Sequence, residues 1–293
     1  MNEGTVLVAM ASWEARFILG SRRLFEQNRP SRAILYYAEE YDNLSSDNRS
    51  QFADLCKQHN VLFEQQMVFL KSPVKTWETL RRDLTSQTIA SVNLIIDITT
   101  MPRDIIWQVF AFGDHMKCSL KYVYHRPEDY NKEWLSRDPE RPRLVYKLSG
   151  EAEFGRPTTL IVLTGYDVRR TEQLIRFYEP RTTLLGVQTG SQFGNQSQNI
   201  DIHRSLISPE SGVAQFDVDA YAEDRGRAAI EAQLQPYLSN SNIVMSSLGP
   251  KLSAVALYQI HKLYPFIALS YAPSQDYNPE YSTGLGETFH GQV

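Results

Sequence analysis

Short runs rich in β-branched and aromatic residues alternate with amphipathic segments along this chain, and the alternation runs through twice. A strand, a helix and a second strand close on one sheet as a right-handed crossover, so the pattern dictates parallel strands covered by helices on both faces. In the first half, residues 5–11, 32–38, 61–69, 92–98 and 120–124 read as strands, and 13–27, 46–58, 74–85 and 104–117 as helices. Ser46 and Asp47 stand as a start signal before the second helix, and Ile105, Ile106, Val109, Phe110 and Gly113 share one face of the fourth. Residues 141–156, with Pro142, Gly150 and Gly155, lose the periodicity and read as a linker. The pattern then restarts with strands at 158–163, 182–187, 213–218, 243–246 and 266–270, and helices at 168–178, 225–238 and 252–263. A Gln-, Asn-, Ser- and Gly-rich stretch at 188–199 reads as an exposed loop in place of one amphipathic segment. The expected fold is therefore α/β: two tandem Rossmann-like lobes, residues 1–143 and 157–293, joined by a linker at 144–156. Each lobe is expected to be an open, mostly parallel five-stranded sheet of order 3-2-1-4-5.

A repeated hexapeptide supports internal duplication. Asp129-Tyr130-Asn131-Lys132-Glu133-Trp134 returns 147 residues later as Asp276-Tyr277-Asn278-Pro279-Glu280-Tyr281. Four further landmarks pair across the halves: Trp13 with Tyr166, Pro30 with Pro180, Leu84 with Leu234, and Pro102 with Pro250. Their offset drifts one way, from 153 to 147, as a few short deletions would make it.

Thirty basic and 34 acidic residues leave a net charge of −4 without a basic tract, which disfavours binding of duplex nucleic acid but leaves an anionic small ligand open. No run of about 18 apolar residues predicts a membrane span, and Met1-Asn2-Glu3-Gly4 opens no signal peptide; the expected location is cytoplasmic. Cys56 and Cys118 are isolated and read as core thiols. The six histidines lack paired-ligand spacing, so no metal site and no cofactor are expected.

Ligands of open parallel sheets bind outside the carboxyl ends of the strands, where the chain order reverses between the first and fourth strands. Trp13, Glu14, Thr99, Thr100 and Arg103 fall there in the first half, and Tyr166, Asp167, Ser246, Ser247, Gly249 and Lys251 in the second. The turn from Ser246 to Lys251 joins hydroxyls, a glycine and a cation to a helix start, a combination suited to phosphate; the competing reading is a capped helix with a solvated lysine. The hexapeptides lie on the same rim, where Tyr130, Asn131, Glu133, Tyr277, Asn278 and Glu280 offer a stacking face and polar groups for a base or ribose. The competing reading is an Asx turn with an aromatic lid. If the chain is an enzyme, Asp97, Glu14 and Asp167 are the candidate bases, with Arg103 or Arg16 as counter-ion to Asp97.

The Ser-Ser-Leu-Gly-Pro-Lys turn at 246–251, followed by Leu-Ser-Ala-Val-Ala-Leu, is similar to the strand-turn-helix of the CRISPR-associated Rossmann-fold (CARF) sensor domains, where such a turn helps hold a cyclic oligonucleotide. Leu248 and Pro250 stand where those domains carry small residues. The resemblance implies a two-fold arrangement of lobes with a nucleotide ligand. The leading expectation is a sensor of a nucleotide or other phosphorylated small molecule, with a protein effector as a further partner. The alternatives are a nucleotide- or ribosyl-directed hydrolase or transferase, and a non-catalytic interaction module.

Overall fold

The computed structural model describes residues 4–86, 89, 90, 92–131, 133–189, 201–207 and 212–293. Of the exposed loop expected at 188–199, Gln188 is instead the buried last residue of the strand at Thr182–Gln188, paired in the sheet with Val218, and the loop's residues from 190 onward fall outside the described residues. The chain divides into two compact units, Met1–Leu135 with Tyr277–Val293, and Ser136–Asp276.

In the first unit β1 (Thr5–Met10), β2 (Arg32–Ala38), β3 (Leu62–Val68), β4 (Asn93–Asp97) and β5 (Ser119–His125) alternate with α1 (Ala15–Asn28), α2 (Asp42–Gln58), α3 (Pro73–Leu84) and α4 (Arg103–His115). One short strand, β6 (Asp129–Tyr130), follows in this unit, and β7 (Ser136–Pro139) and β8 (Arg143–Leu144) open the second. The second unit adds β9 (Thr158–Leu163), α5 (Val168–Tyr178), β10 (Thr182–Gln188), β11 (Val213–Val218), α6 (Arg227–Leu234), β12 (Asn242–Ser247), α7 (Lys251–Leu263) and β13 (Ala268–Tyr271). The chain closes with β14 (Ser274–Tyr277), β15 (Ser282–Thr283) and β16 (Thr288–Gln292).

The two large sheets have orders β16-β5-β4-β1-β2-β3 and β11-β10-β9-β12-β13-β8. Both contain the expected parallel 3-2-1-4-5 core, so the fold is two Rossmann-like lobes. Register is set by buried apolar runs: Val6, Leu7 and Val8 lie beside Leu94, Ile95 and Ile96, and Ile161 and Val162 beside Met245 and Ser246. Continuous burial of this kind belongs to strands covered on both faces. Phe17, Leu24, Phe25, Phe52 and Leu55 from α1 and α2 close on Leu7, Leu35 and Ile95. In the second unit Leu174 closes on Leu160, Val162 and Leu185.

Three expectations need correction. Each sheet has six strands, not five, because β16 and β8 add antiparallel to β5 and β13 and cover edges that would otherwise leave backbone groups unpaired. Helix α2 starts at Asp42, ahead of the expected signal at Ser46. There Ser45 Oγ donates to Tyr41 O at 2.9 Å and Ser46 Oγ to Asn43 O at 2.9 Å, so both serines bond backward within the helix instead of capping it. The helix expected at 225–238 is α6 followed by a 3₁₀ turn at Gln235–Tyr237, since Pro236 has no N–H with which to continue the α ladder.

Candidate functional site

In the first unit, the ends of β1, β2 and β4 carry Trp13 and Glu14, Tyr41, and Thr99 to Arg103 respectively. The residues Tyr277 to Thr283 return across these same strand ends. Trp13 lies 5.0 Å from Tyr41 and 6.4 Å from Tyr277 between ring centroids, and Tyr41 meets Tyr277 edge-on at 6.1 Å. Tyr281 extends the group, 6.5 Å from Tyr277 and 6.0 Å from Tyr130. These separations are those of mutually packed aromatic rings.

Beneath the rings sits a buried ion pair. Arg16, 2% exposed, gives Nε to Glu14 Oε2 at 2.8 Å and Nη2 to Oε1 at 3.2 Å; Glu14 is 9% exposed. Arg16 Nη1 donates to His125 O at 3.4 Å, and Ser282 donates its hydroxyl to Glu14. Burial by itself lowers the arginine pKa, but the Glu14 carboxylate, followed by the Tyr124 and Tyr130 phenols, holds it well above its ordinary value. Burial, and then the Glu14 charge, push the Tyr281 phenol up to about 12 against the opposing Arg103 and Arg16. Arg103 itself is the first residue of α4, directly after the turn that follows β4.

Asp97, 2% exposed, accepts Thr99 N–H at 2.9 Å and so caps the turn after β4. Arg16, one of its expected counter-ions, is taken by Glu14. Thr99 Oγ1 accepts His125 N–H at 2.9 Å, and Thr100 Oγ1 donates to Met10 O at 2.6 Å, tying the ends of β1 and β4 together.

Both hexapeptides bring residues to this rim, and in each the asparagine folds its own turn. Asn131 Oδ1 accepts Glu133 N–H at 2.9 Å and Asn278 Oδ1 accepts Glu280 N–H at 2.9 Å. Asn278 also donates Nδ2 to Trp134 O at 3.0 Å, and Asn131 donates its N–H to Tyr281 O at 3.1 Å. The Asx-turn geometry anticipated as the structural alternative is therefore present in both copies.

In the second unit, Tyr166 follows β9 and is 37% exposed. Asp167 caps α5, its Oδ1 accepting Arg169 N–H at 3.1 Å and Arg170 N–H at 3.4 Å. Ser246 is fully buried and donates Oγ to Ser270 O at 3.0 Å; Ser247 is buried beside it. The amides of Leu248 and Gly249 both donate to Leu163 O, at 2.8 and 3.1 Å. A Cβ on Gly165 would come within 2.1 Å of Leu248 O, and one on Gly249 within 2.7 Å of Thr164 O. These glycines thus let the chain approach itself, and the turn's first amides are spent on β9. Lys251 opens α7, whose N-terminus no side chain caps.

Sequence reasoning did not single out Tyr41, Tyr281, Ser282 or Arg170, and named Arg16 only as a counter-ion. One signal was available: Trp13-Glu14-Ala15-Arg16 and Tyr166-Asp167-Val168-Arg169-Arg170 share the order aromatic, acid, aliphatic, arginine. Among the described residues no cluster of His, Cys, Asp and Glu is arranged to hold a metal, and no helix is long and apolar enough to cross a membrane.

No family model matches the chain, and no curated protein is similar to it in sequence. Among solved structures, a type III CRISPR defence DNA nuclease activated by cyclic oligoadenylate is similar to 87% of this chain and 63% of its own length, with a TM-score of 0.51 at 11% identity. Can2 from Sulfobacillus thermosulfidooxidans, in complex with cyclic tetra-adenylate, is similar over 40% of this chain and 31% of its own, with a TM-score of 0.31 at 16% identity. The chain spans less than two thirds of either protein. The first likeness is one of fold, and at that level it agrees with the resemblance to CARF domains carried by the turn at 246–251.

Proposed function

We propose that this chain is a nucleotide sensor. It takes a phosphorylated nucleotide at the carboxyl-end rims of two lobes that arose by tandem duplication, with repeat units 1–143 and 157–293 around a linker at 144–156. The shared 3-2-1-4-5 order and the drifting landmark offsets support the duplication. The observation that carries the ligand reading is the rim of the first unit. There Trp13, Tyr41 and Tyr277 group their rings at the ends of β1 and β2, and Arg103 opens α4 just after β4. Aromatic faces beside a cation suit a base and its phosphate. The fold likeness to a nuclease activated by cyclic oligoadenylate makes cyclic oligoadenylates the first ligand class to test. The three candidate bases are engaged, Glu14 by Arg16, Asp97 by Thr99 and Asp167 by the first turn of α5, which favours a sensing role over hydrolysis.

The test is to denature the purified protein, identify any nucleotide released, and measure thermal shifts with a nucleotide panel that includes cyclic oligoadenylates. The reading expects a shift that falls in Arg103→Ala and Lys251→Ala. Equal shifts in both variants and the parent would remove these cations from the site, and the absence of any shift would remove the nucleotide.

A further inference from the structure

The two units treat one arginine differently. In each, an arginine in the first turn of the helix after the first strand reaches the carbonyl at the end of the fifth. Arg16 of α1 gives Nη1 to His125 O at 3.4 Å; Arg170 of α5 gives Nε to Ala272 O at 2.8 Å and also directs Nη2 to that oxygen. Arg16 is neutralised within the fold by Glu14. The acid in the corresponding place of the second unit, Asp167, instead turns its carboxylate to the amides of Arg169 and Arg170.

Arg170 is therefore a cation 6% exposed, with hydrogen bonds only to one carbonyl and no carboxylate partner among the described residues. Buried charges in proteins are ordinarily paired, because taking an ion from water without a counter-charge is costly. The exposed Tyr166 stands three residues after β9 on the same strand-end loop, and α5 presents its N-terminal turn there.

We infer that Arg170 is the phosphate anchor of the second unit's rim, and that the two rims differ. The second leaves its buried arginine without a carboxylate among the described residues and so open to an anion, while the first has its arginine already satisfied by Glu14. This deepens the nucleotide-sensor reading and rests on it for the ligand class. The anion site itself stands on the Arg170 guanidinium, held by Ala272 O and left without a carboxylate because Asp167 turns to the α5 amides. Arginine suits the role, since its planar fork can hold a carbonyl on one side and phosphate oxygens on the other.

The experiment compares the full chain with Arg170→Gln, which keeps an N–H for Ala272 O and removes the charge, and with Arg170→Lys, which keeps the charge. Each is melted with and without tripolyphosphate and titrated with cyclic tetra-adenylate. The expected result is tripolyphosphate protection in the parent, partial protection in Arg170→Lys and none in Arg170→Gln. Cyclic tetra-adenylate should bind Arg170→Gln about 10- to 100-fold more weakly, the range for a lost charge-assisted hydrogen bond. Equal protection and affinity in parent and Arg170→Gln would overturn the anchor and leave the sensor reading in place. Arg170-dependent tripolyphosphate protection without binding of any nucleotide would leave the anchor and overturn the sensor. If Arg170→Gln does not fold, Arg170→Lys decides: a full parental response to both probes overturns the fork-dependent anchor, and a reduced one supports it.

Discussion

Replacing Glu14 with alanine tests the first unit's rim most sharply. Arg16 would remain enclosed, with the carbonyl of His125 and the phenols of Tyr124 and Tyr130 as its remaining surroundings. Removing one partner of a buried pair costs about 3–5 kcal/mol, because the surviving charge loses its compensation. For a unit of this size each kcal/mol lowers the melting temperature by about 2–4 °C, so the expected fall is about 6–20 °C. All four tryptophans, Trp13, Trp77, Trp107 and Trp134, lie in the first unit, so tryptophan fluorescence follows its unfolding and not that of the second. Urea titrations of Glu14→Ala, Arg16→Met and the double variant form a cycle whose coupling should exceed about 2 kcal/mol. The double variant should recover part of the loss, since it leaves no buried charge uncompensated, although the alanine does not refill the space of the Glu14 carboxylate. Single losses below about 1 kcal/mol that simply add would refute the buried-pair reasoning.

Other outcomes follow from the same geometry. His125 is fully buried, with Nδ1 2.9 Å from Thr288 Oγ1 and Nε2 without a partner. Burial lowers its pKa, Arg23, His290 and Arg16 add to the fall, and Asp97 opposes it. The folded unit therefore binds fewer protons at this site than the unfolded chain. Its stability is complete above the ordinary imidazole value of about 6.5 and declines as pH falls through that value toward the lower folded one. Urea midpoints at pH 8 and pH 5.5 should differ in the parent by more than in His125→Gln, and an equal difference would contradict this. Gly165→Ala and Gly249→Ala drive a methyl into backbone carbonyls and should each lower the second unit's stability by about 1–3 kcal/mol, read by circular dichroism. Asp167→Ala removes the α5 cap at a cost of about 1 kcal/mol. Cys56, whose thiol burial pushes up to about 12, should resist alkylation at pH 8 until the unit unfolds.

The parallel cores were legible because their strands are continuous apolar runs, such as Leu94-Ile95-Ile96, bounded by helices with clear periodicity. The sixth strands were not. Thr288–Gln292 and Arg143–Leu144 are short and mostly polar, and their place in a sheet is decided by an edge formed far away in sequence. The same separation hid the packing of Tyr281 and Ser282 against Arg16 and Glu14, some 265 residues apart along the chain. The asparagine turns were legible as a possibility, since Asx geometry is local. The contrast between Arg16 and Arg170 was not, because aromatic-acid-aliphatic-arginine reads alike in both halves while the acid takes opposite roles.

The most direct test of the sensor proposal is calorimetric titration of the full chain with cyclic tetra-adenylate and its cyclic relatives. The proposal predicts saturable binding that weakens in both Trp13→Ala and Arg170→Gln. The absence of binding by every cyclic oligoadenylate and by the linear nucleotides of the same panel would contradict it.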